Sequence, residues 1–250
     1  MVDRMKMLLA LGLIAGASAV EAQDLGRPTG SLEVTTDHRR RGISWSDGDP
    51  ALDGIVSVPV AGLRLDARAT TLRGARRHGG ADVVFDPSVS YSRDLASGVS
   101  LNVGATGHFF AGSAVNADYG EIDLGLGYAL GPLQLDLAAN YAPDQDAIGG
   151  DNLYLQARAS AGIPGTGIDV AAHVGRTSGS TDDPLLAARL RPALGSYVDW
   201  GVRVERRFGP LALGLRYSGT DVDTRAVAAS PFADPDDAGD RLTAHAVVFF

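Results

Sequence analysis

The chain has no cysteine, so neither a disulfide framework nor a lipid anchor on an amino-terminal Cys can form. It has one lysine, Lys6, and every later fixed positive side chain is an arginine. Basic residues are in the minority. The 22 Lys and Arg against 30 Asp and Glu leave a formal charge of −8, which argues against nucleic acid as a partner because phosphate binding needs a basic face. Beyond residue 22 no stretch reaches the run of about 18 apolar residues that a membrane-spanning helix needs, so helical spans are excluded. Catalytic signatures are missing as well. HExxH, GxSxG and phosphate-loop patterns do not occur, and His38, His78, His108, His173 and His245 stand singly. His108, with Ser113 close by, comes nearest to a base and nucleophile. The expectation is no enzyme, no metal and no cofactor.

What is present begins with "MVDRMKMLLALGLIAGASAVEA". Arg4 and Lys6 precede an apolar run from Met7 to Leu13, and Val20 and Ala22 are placed for a small-residue cleavage site. Residues 1–22 read as a cleaved secretory signal, since the run is interrupted by Gly12 and Gly16 and is too short to span a bilayer. Residues 23–30 then form a short N-terminal periplasmic segment, and 31–250 a single domain. Glycine is abundant, 32 of 250 residues, which suits turns and close strand packing rather than helices.

Strict alternation dominates that domain. "LRLDARA" sets Leu63, Leu65, Ala67 and Ala69 against Arg64, Asp66 and Arg68, and "LQLDLAANY" sets Leu133, Leu135, Leu137 and Tyr141 against Gln134, Asp136 and Asn140. Each is a strand with one apolar and one polar face. Twelve such segments follow, near 31–39, 52–60, 63–71, 82–91, 98–109, 119–130, 133–142, 152–162, 167–175, 197–208, 211–218 and 241–250. The connections between them alternate short ("AG" at 61, "GP" at 131 and 209) with long and polar (about 40–51, 72–81, 110–118, 143–151, 176–196 and 219–240). An up-and-down meander puts all short turns at one end and all long loops at the other, as transmembrane barrels do. The fold expected is all-β, a single up-and-down antiparallel transmembrane barrel of about twelve strands in the outer membrane. Its apolar face then meets lipid, with Tyr91, Tyr128, Tyr141, Trp200, Phe208, Tyr217 and Phe250 in the interfacial girdles.

The stretch "VTTDHRRRGISWSDGDPALDG", with Asp37, His38, Arg41, Gly42, Ser44, Ser46, Pro50, Ala51 and Gly54, resembles the first hairpin of the TorF-family porins of Gram-negative bacteria. "DYGEIDLGLGY", with Tyr119, Gly120 and Glu121, is similar to a second recurrent stretch of that family. "LRLDARATTL" departs from the aromatic Gly-Trp pattern usual in its third strand, and His38 stands where an aromatic is usual. The resemblance implies an outer-membrane barrel and a porin-like role.

On this register the inward face carries ten acids and six arginines. Arg39, Arg64, Asp66, Arg68, Glu121, Asp123, Arg158, Arg203 and Glu205 are the candidates for the lumen lining. Opposed rows of Arg and carboxylate would set a transverse field across a pore for small hydrophilic solutes. The alternative is a non-conducting barrel, plugged by its own ion pairs, that displays external loops for anchoring or adhesion. The run Arg39, Arg40, Arg41 is expected at the outer rim, as an anion-attracting mouth or a clamp on lipopolysaccharide phosphates, or paired with Asp47, Asp49 or Asp53 of the same loop. The acids of 219–240 read as solvated loop charges, having no calcium-loop spacing. The ending "RLTAHAVVFF" places Phe250 outward and Phe249 inward on a last strand that must pair with the first. A terminal aromatic there resembles the signature presented to the barrel-assembly machinery.

Overall fold

A computed structural model of the chain describes residues 26–227 and 230–250; the segment read as a signal lies outside the described residues. The wall strands are β1 (Thr29–Thr35), β4 (Ala51–Val60), β5 (Leu63–Ala75), β6 (Ala81–Ala96), β7 (Val99–Ala111) and β8 (Tyr119–Leu130) in the first half. The second half has β9 (Leu133–Gln145), β10 (Gly150–Ile163), β11 (Ile168–Ser178), β12 (Tyr197–Phe208), β13 (Leu211–Thr220) and β14 (Arg241–Phe249). These twelve form one closed antiparallel barrel, and the pair β2 (Arg39–Arg40) and β3 (Ile43–Ser44) forms a separate hairpin. Closure is made by β1 against β14, from Ser31 opposite Phe249 to Thr35 opposite His245. Phe250 adds the last two bonds of the seam, accepting from Gly30 N at 2.8 Å and donating to Gly30 O at 3.0 Å.

Alternation sets which side of the wall meets which medium. On β8, Ile122, Leu124, Leu126, Tyr128 and Leu130 point out and are exposed, while Glu121 is buried on the inside. A small soluble barrel has the opposite sense, so this is a transmembrane barrel. The outward aromatics fall near both ends. Tyr91, Tyr128, Phe208 and Phe250 lie toward the short turns, and Tyr141, Trp200 and Tyr217 toward the long connections. The turn at Ala61 (φ 49) and Gly62 (φ 80) has positive φ at both central residues, the mirror-image geometry that matches strand twist.

Three expectations change. The first strand stops at Thr35 rather than 39, because the chain there turns inward. The connections at 72–81 and 143–151 are about half strand, each closed by a single 3-10 turn, Arg76–His78 and Asp146–Ile148. Arg73 (φ 58) and Gly74 (φ 77), which read as loop residues, instead form an irregularity in β5 where the register shifts between Thr71 and Ala75. Similarly β6 continues through "SRDLA" to Ala96, pairing those polar residues with β7.

Deleting Phe250 removes both terminal seam bonds and leaves Gly30 unpaired at the lipid interface. The expected outcome is a severalfold drop in folded, heat-modifiable barrel on unboiled gels; normal levels would count against this account of the seam.

Candidate functional site

After Thr35 the chain leaves the wall and folds back into the lumen. Arg39 pairs with Ser44 and Arg40 with Ile43, and the tip residues Arg41 (φ 51) and Gly42 (φ 74) both lie in the left-handed region. Gly42 has no room for a side chain: a Cβ would fall 2.7 Å from Asp199 Cβ on β12 and 2.5 Å from Thr220 Cγ2 on β13. Asp37 organises the base of the hairpin. It accepts from Ser44 Oγ at 2.6 Å and Ser46 Oγ at 3.3 Å and pairs with Arg39 at 3.2 Å. Trp45 N donates to His38 O at 2.7 Å, and His38 N to Ser46 Oγ at 3.0 Å. Asp37, His38, Arg41, Gly42, Ser44 and Ser46, which carried the family resemblance, are thus the residues that build this inner hairpin.

From its tip the three arginines diverge. Arg39 donates to Gly42 O at 2.5 Å and Gly239 O at 2.7 Å. Arg40 reaches Asp86 on β6 at 2.5 Å and lies over the Trp45 ring, 4.3 Å from its centroid. Arg41 donates to both carboxylate oxygens of Glu121 on β8 at 2.7 Å, while its own carbonyl accepts from Tyr197 OH at 3.1 Å. His108 on β7 joins the two acids, with Nδ1 2.8 Å from Asp86 and Nε2 3.4 Å from Glu121. The arginine run is therefore not a rim feature. Its partners are Asp37, Asp86 and Glu121, not Asp47, Asp49 or Asp53, and it cannot clamp lipid phosphates from inside the lumen. Asp47 accepts instead from Arg76 N, and Asp53 from Arg68. Ser113 Oγ is bonded to Val115 O, so it is no partner for His108. The loop acids are engaged too: Asp234 pairs with Arg76, Asp237 with Arg77, and Asp240 accepts from Tyr217.

Above the hairpin the long-loop end is closed by a packed dome. Trp45, Leu72, Ala75, Ala81, Val84, Phe110, Tyr119, Ile148 and Leu190 form an apolar cluster inside the barrel. Two fully buried arginines knit it together. Arg77 donates to Arg189 O at 2.5 Å and to Ser44 O at 3.2 Å, and Arg189 returns a bond to Arg77 O at 3.1 Å while also reaching Ala147 O and Ala117 O. Burial pulls the Arg189 guanidinium down to about 10, leaving it protonated at neutral pH. Arg189 follows the short helix α1 (Pro184–Ala187), whose N-cap Asp183 accepts from Leu185 N and Leu186 N. Neither Arg77 nor Arg189 was read from sequence as a site residue. The Asp-Pro start before "LLAA" is the local signal that marks this element.

Beneath the hairpin lies a polar cavity of ≈ 510 Å³. Arg39, Asp66, Arg68, Glu121, Asp123, Arg158 and Arg203 line it, with Trp45 and Tyr119 at its ceiling; Arg64 and Glu205 stand beside it. None of the dome arginines lines it. Toward the short turns the lumen opens to water, and the inward Arg64 side chain there is 59% exposed. The walls differ in their balance of charge. Asp66 (β5), Asp86 (β6), Glu121 and Asp123 (β8) and Asp136 (β9) stand on one side with Arg64 and Arg68 of β5; Arg158 (β10), Arg203 (β12) and Arg216 (β13) stand on the other with Asp169 (β11), Asp199 and Glu205 (β12). All five histidines point inward, His173 toward Asp199 at 3.1 Å and His245 toward Glu205 at 3.2 Å.

A bacterial family described as being of unknown function, Gcw_chp, matches residues 22–247. The chain belongs to that family. No curated protein sequence matches it. Among solved structures, the NanC porin superposes with a TM-score of 0.60 at 12% sequence identity, over 88% of this chain and 99% of its own. The KdgM porin gives 0.57 at 7% identity, over 89% and 99%. KdgM porin in complex with disordered oligogalacturonate gives 0.56 at 8%, over 89% and 98%. At these identities the likeness is one of fold.

His78 makes the dome sensitive to acid. Its ring is fully buried between Trp45 (4.3 Å) and Phe110 (4.6 Å), both nitrogens are unpartnered, and burial, then Arg189, Arg77 and Arg40, hold it neutral well below its ordinary 6.5. An unfolded His78 takes up a proton that the dome excludes, so its contribution is intact above about pH 6.5 and is lost as pH falls below it. Hydrogen exchange of the dome amides should quicken at about pH 5 relative to pH 7.5, and His78→Phe should flatten that dependence. An unchanged profile in the variant would remove His78 as the cause.

Proposed function

We propose that the protein is a porin-like channel of the Gram-negative outer membrane for small hydrophilic solutes, closed at its outer end by the inner hairpin and dome. The observation that carries this reading is the charged, water-open cavity that ends against a plug held to the wall by side-chain contacts rather than by strand pairing. Opposed acid and arginine walls act on a passing solute as charged rings do in selective pores. Lipid and lipopolysaccharide surround the apolar belt, and Phe250 presents the terminal aromatic to the assembly machinery. The TorF-family resemblance and the export signal belong to the same reading, which involves no catalytic step. The dry dome favours a second reading, a non-conducting barrel that anchors or displays its loops.

Removing the latch charges together with their partners tests the two. In a barrel carrying Arg40→Ala, Asp86→Asn, Arg41→Ala and Glu121→Gln, no buried charge is left alone. Planar-bilayer recordings should show the open fraction rising about tenfold or more, which corresponds to ~1.4 kcal/mol of lost latch energy. Absence of stepwise current in both the parent and this variant would sink the channel reading and leave the anchoring one.

A further inference from the structure

The acids of the lumen wall are satisfied, and one of its arginines, Arg158, is not. Asp123 accepts from Thr106 Oγ1 at 2.7 Å and Asn140 Nδ2 at 2.5 Å, and Asp136 from Gln134 Nε2 at 2.8 Å. Asp66 accepts from Ser57 and from Arg64, the latter at 2.8 Å. Arg39, Arg40, Arg41 and Arg68 are likewise consumed by close carboxylates. Arg158 differs. Although it stands opposite Asp136 in the sheet register, it makes no hydrogen bond or ion pair among the described residues. Arg203 and Arg216 face each other directly across β12 and β13; Arg203 bonds Glu205 at 3.3 Å, a carboxylate it shares with His245, and Arg216 stands 3.6 Å from Glu33 without a hydrogen bond to it. Like charges in directly opposed positions repel, so Arg203 and Arg216 are stabilised by an anion placed between them. Of the seven arginines lining the cavity, Arg158 is the one with no carboxylate contact among the described residues.

We infer that the face formed by Arg158, Arg203 and Arg216 is a binding site for small organic carboxylates. A planar guanidinium fork meets a carboxylate through two parallel bonds, and an anion seated between the arginines relieves their mutual repulsion. Gln156 and His173, which also line the cavity, offer neighbouring polar groups for hydroxyls of the same solute. The opposite wall repels that carboxylate and fixes its orientation. As a solute-selecting site it rests on the channel reading, but the binding itself does not need current to flow.

Isothermal titration calorimetry on the full folded barrel in detergent, with sodium succinate and sodium gluconate against glucose as the neutral control, tests it. Both carboxylates should give saturable heats that glucose does not. Arg158→Gln removes a group with no protein partner, so the barrel stays folded on unboiled gels, and it should weaken carboxylate binding at least about tenfold, a loss of one good charged contact. Arg158→Lys, which keeps the charge and loses the fork, should fall between. Equal heats for glucose and the carboxylates, or an Arg158→Gln barrel that binds as the parent does, would overturn the site. A barrel that binds succinate yet never conducts keeps the site and loses the channel; one that conducts without preferring carboxylates loses the site alone.

Discussion

In hydrocarbon an unpaired backbone N–H or C=O costs several kcal/mol, and every other feature of this molecule follows from avoiding that cost. The sheet must close, so β1 must meet β14, and Phe250 carries the pairing to its last residue. Closure with lipid outside sends apolar side chains to the bilayer and polar ones to the lumen, the reverse of a small soluble barrel. It also creates a difficulty. A barrel of twelve strands is wider than the eight-stranded size whose interior side chains can fill. The chain answers by sending the residues between β1 and β4 inward instead of outward.

The filled interior has two halves with different physics. At the long-loop end it is dry, and Trp45, Leu72, Val84, Phe110 and Leu190 pack much as a soluble core does. Toward the short turns it is wet, and most charges there are paired with neighbours along the wall, as Arg64 is with Asp66 and Arg68 with Asp53. The inner hairpin is the boundary between them. Its tip holds Arg41 in a left-handed conformation that costs about 1 kcal/mol or more for a residue with a side chain. The ion pair with Glu121, in which Arg41 Nη2 donates to both carboxylate oxygens beneath the dome, offsets that strain. Buried ion pairs are expensive to form and more expensive to break by halves, which ties the hairpin's position to all three arginines at once.

Much of the wall was legible because period-two alternation is a local property. "LQLDLAANY" declares its two faces without reference to any other strand, and the grouping of short turns at one end gave the topology. The interior was not legible, because there the decisive contacts join residues far apart in the chain: Arg41 with Glu121, Arg77 with Arg189, Arg39 with Gly239. The strand ends near 75 and 81 were hidden for the same reason. Leu72, Ala75, Ala81 and Val84 are apolar on the inward face because the dome covers them. At those positions alternation of polarity breaks although the backbone remains in the sheet.

One feature of composition acquires a cause from this interior. Lysine is confined to Lys6, and the buried arginines show what a lysine could not supply. Arg189 serves three separate carbonyls, and Arg191 serves Gly179 O, Ser180 O, Leu194 O and Thr181 Oγ1. A guanidinium has five donors in a rigid plane, whereas an ammonium has three on a strongly hydrated point. Loop carbonyls that end inside a barrel have no neighbouring strand to pair with. They need a donor that reaches several at once and tolerates being dry. The same side chain, left unpartnered on the open wall at Arg158, becomes a fork facing the lumen. The choice of arginine that lets the dome close therefore also gives the cavity beneath it the donors that favour a carboxylate.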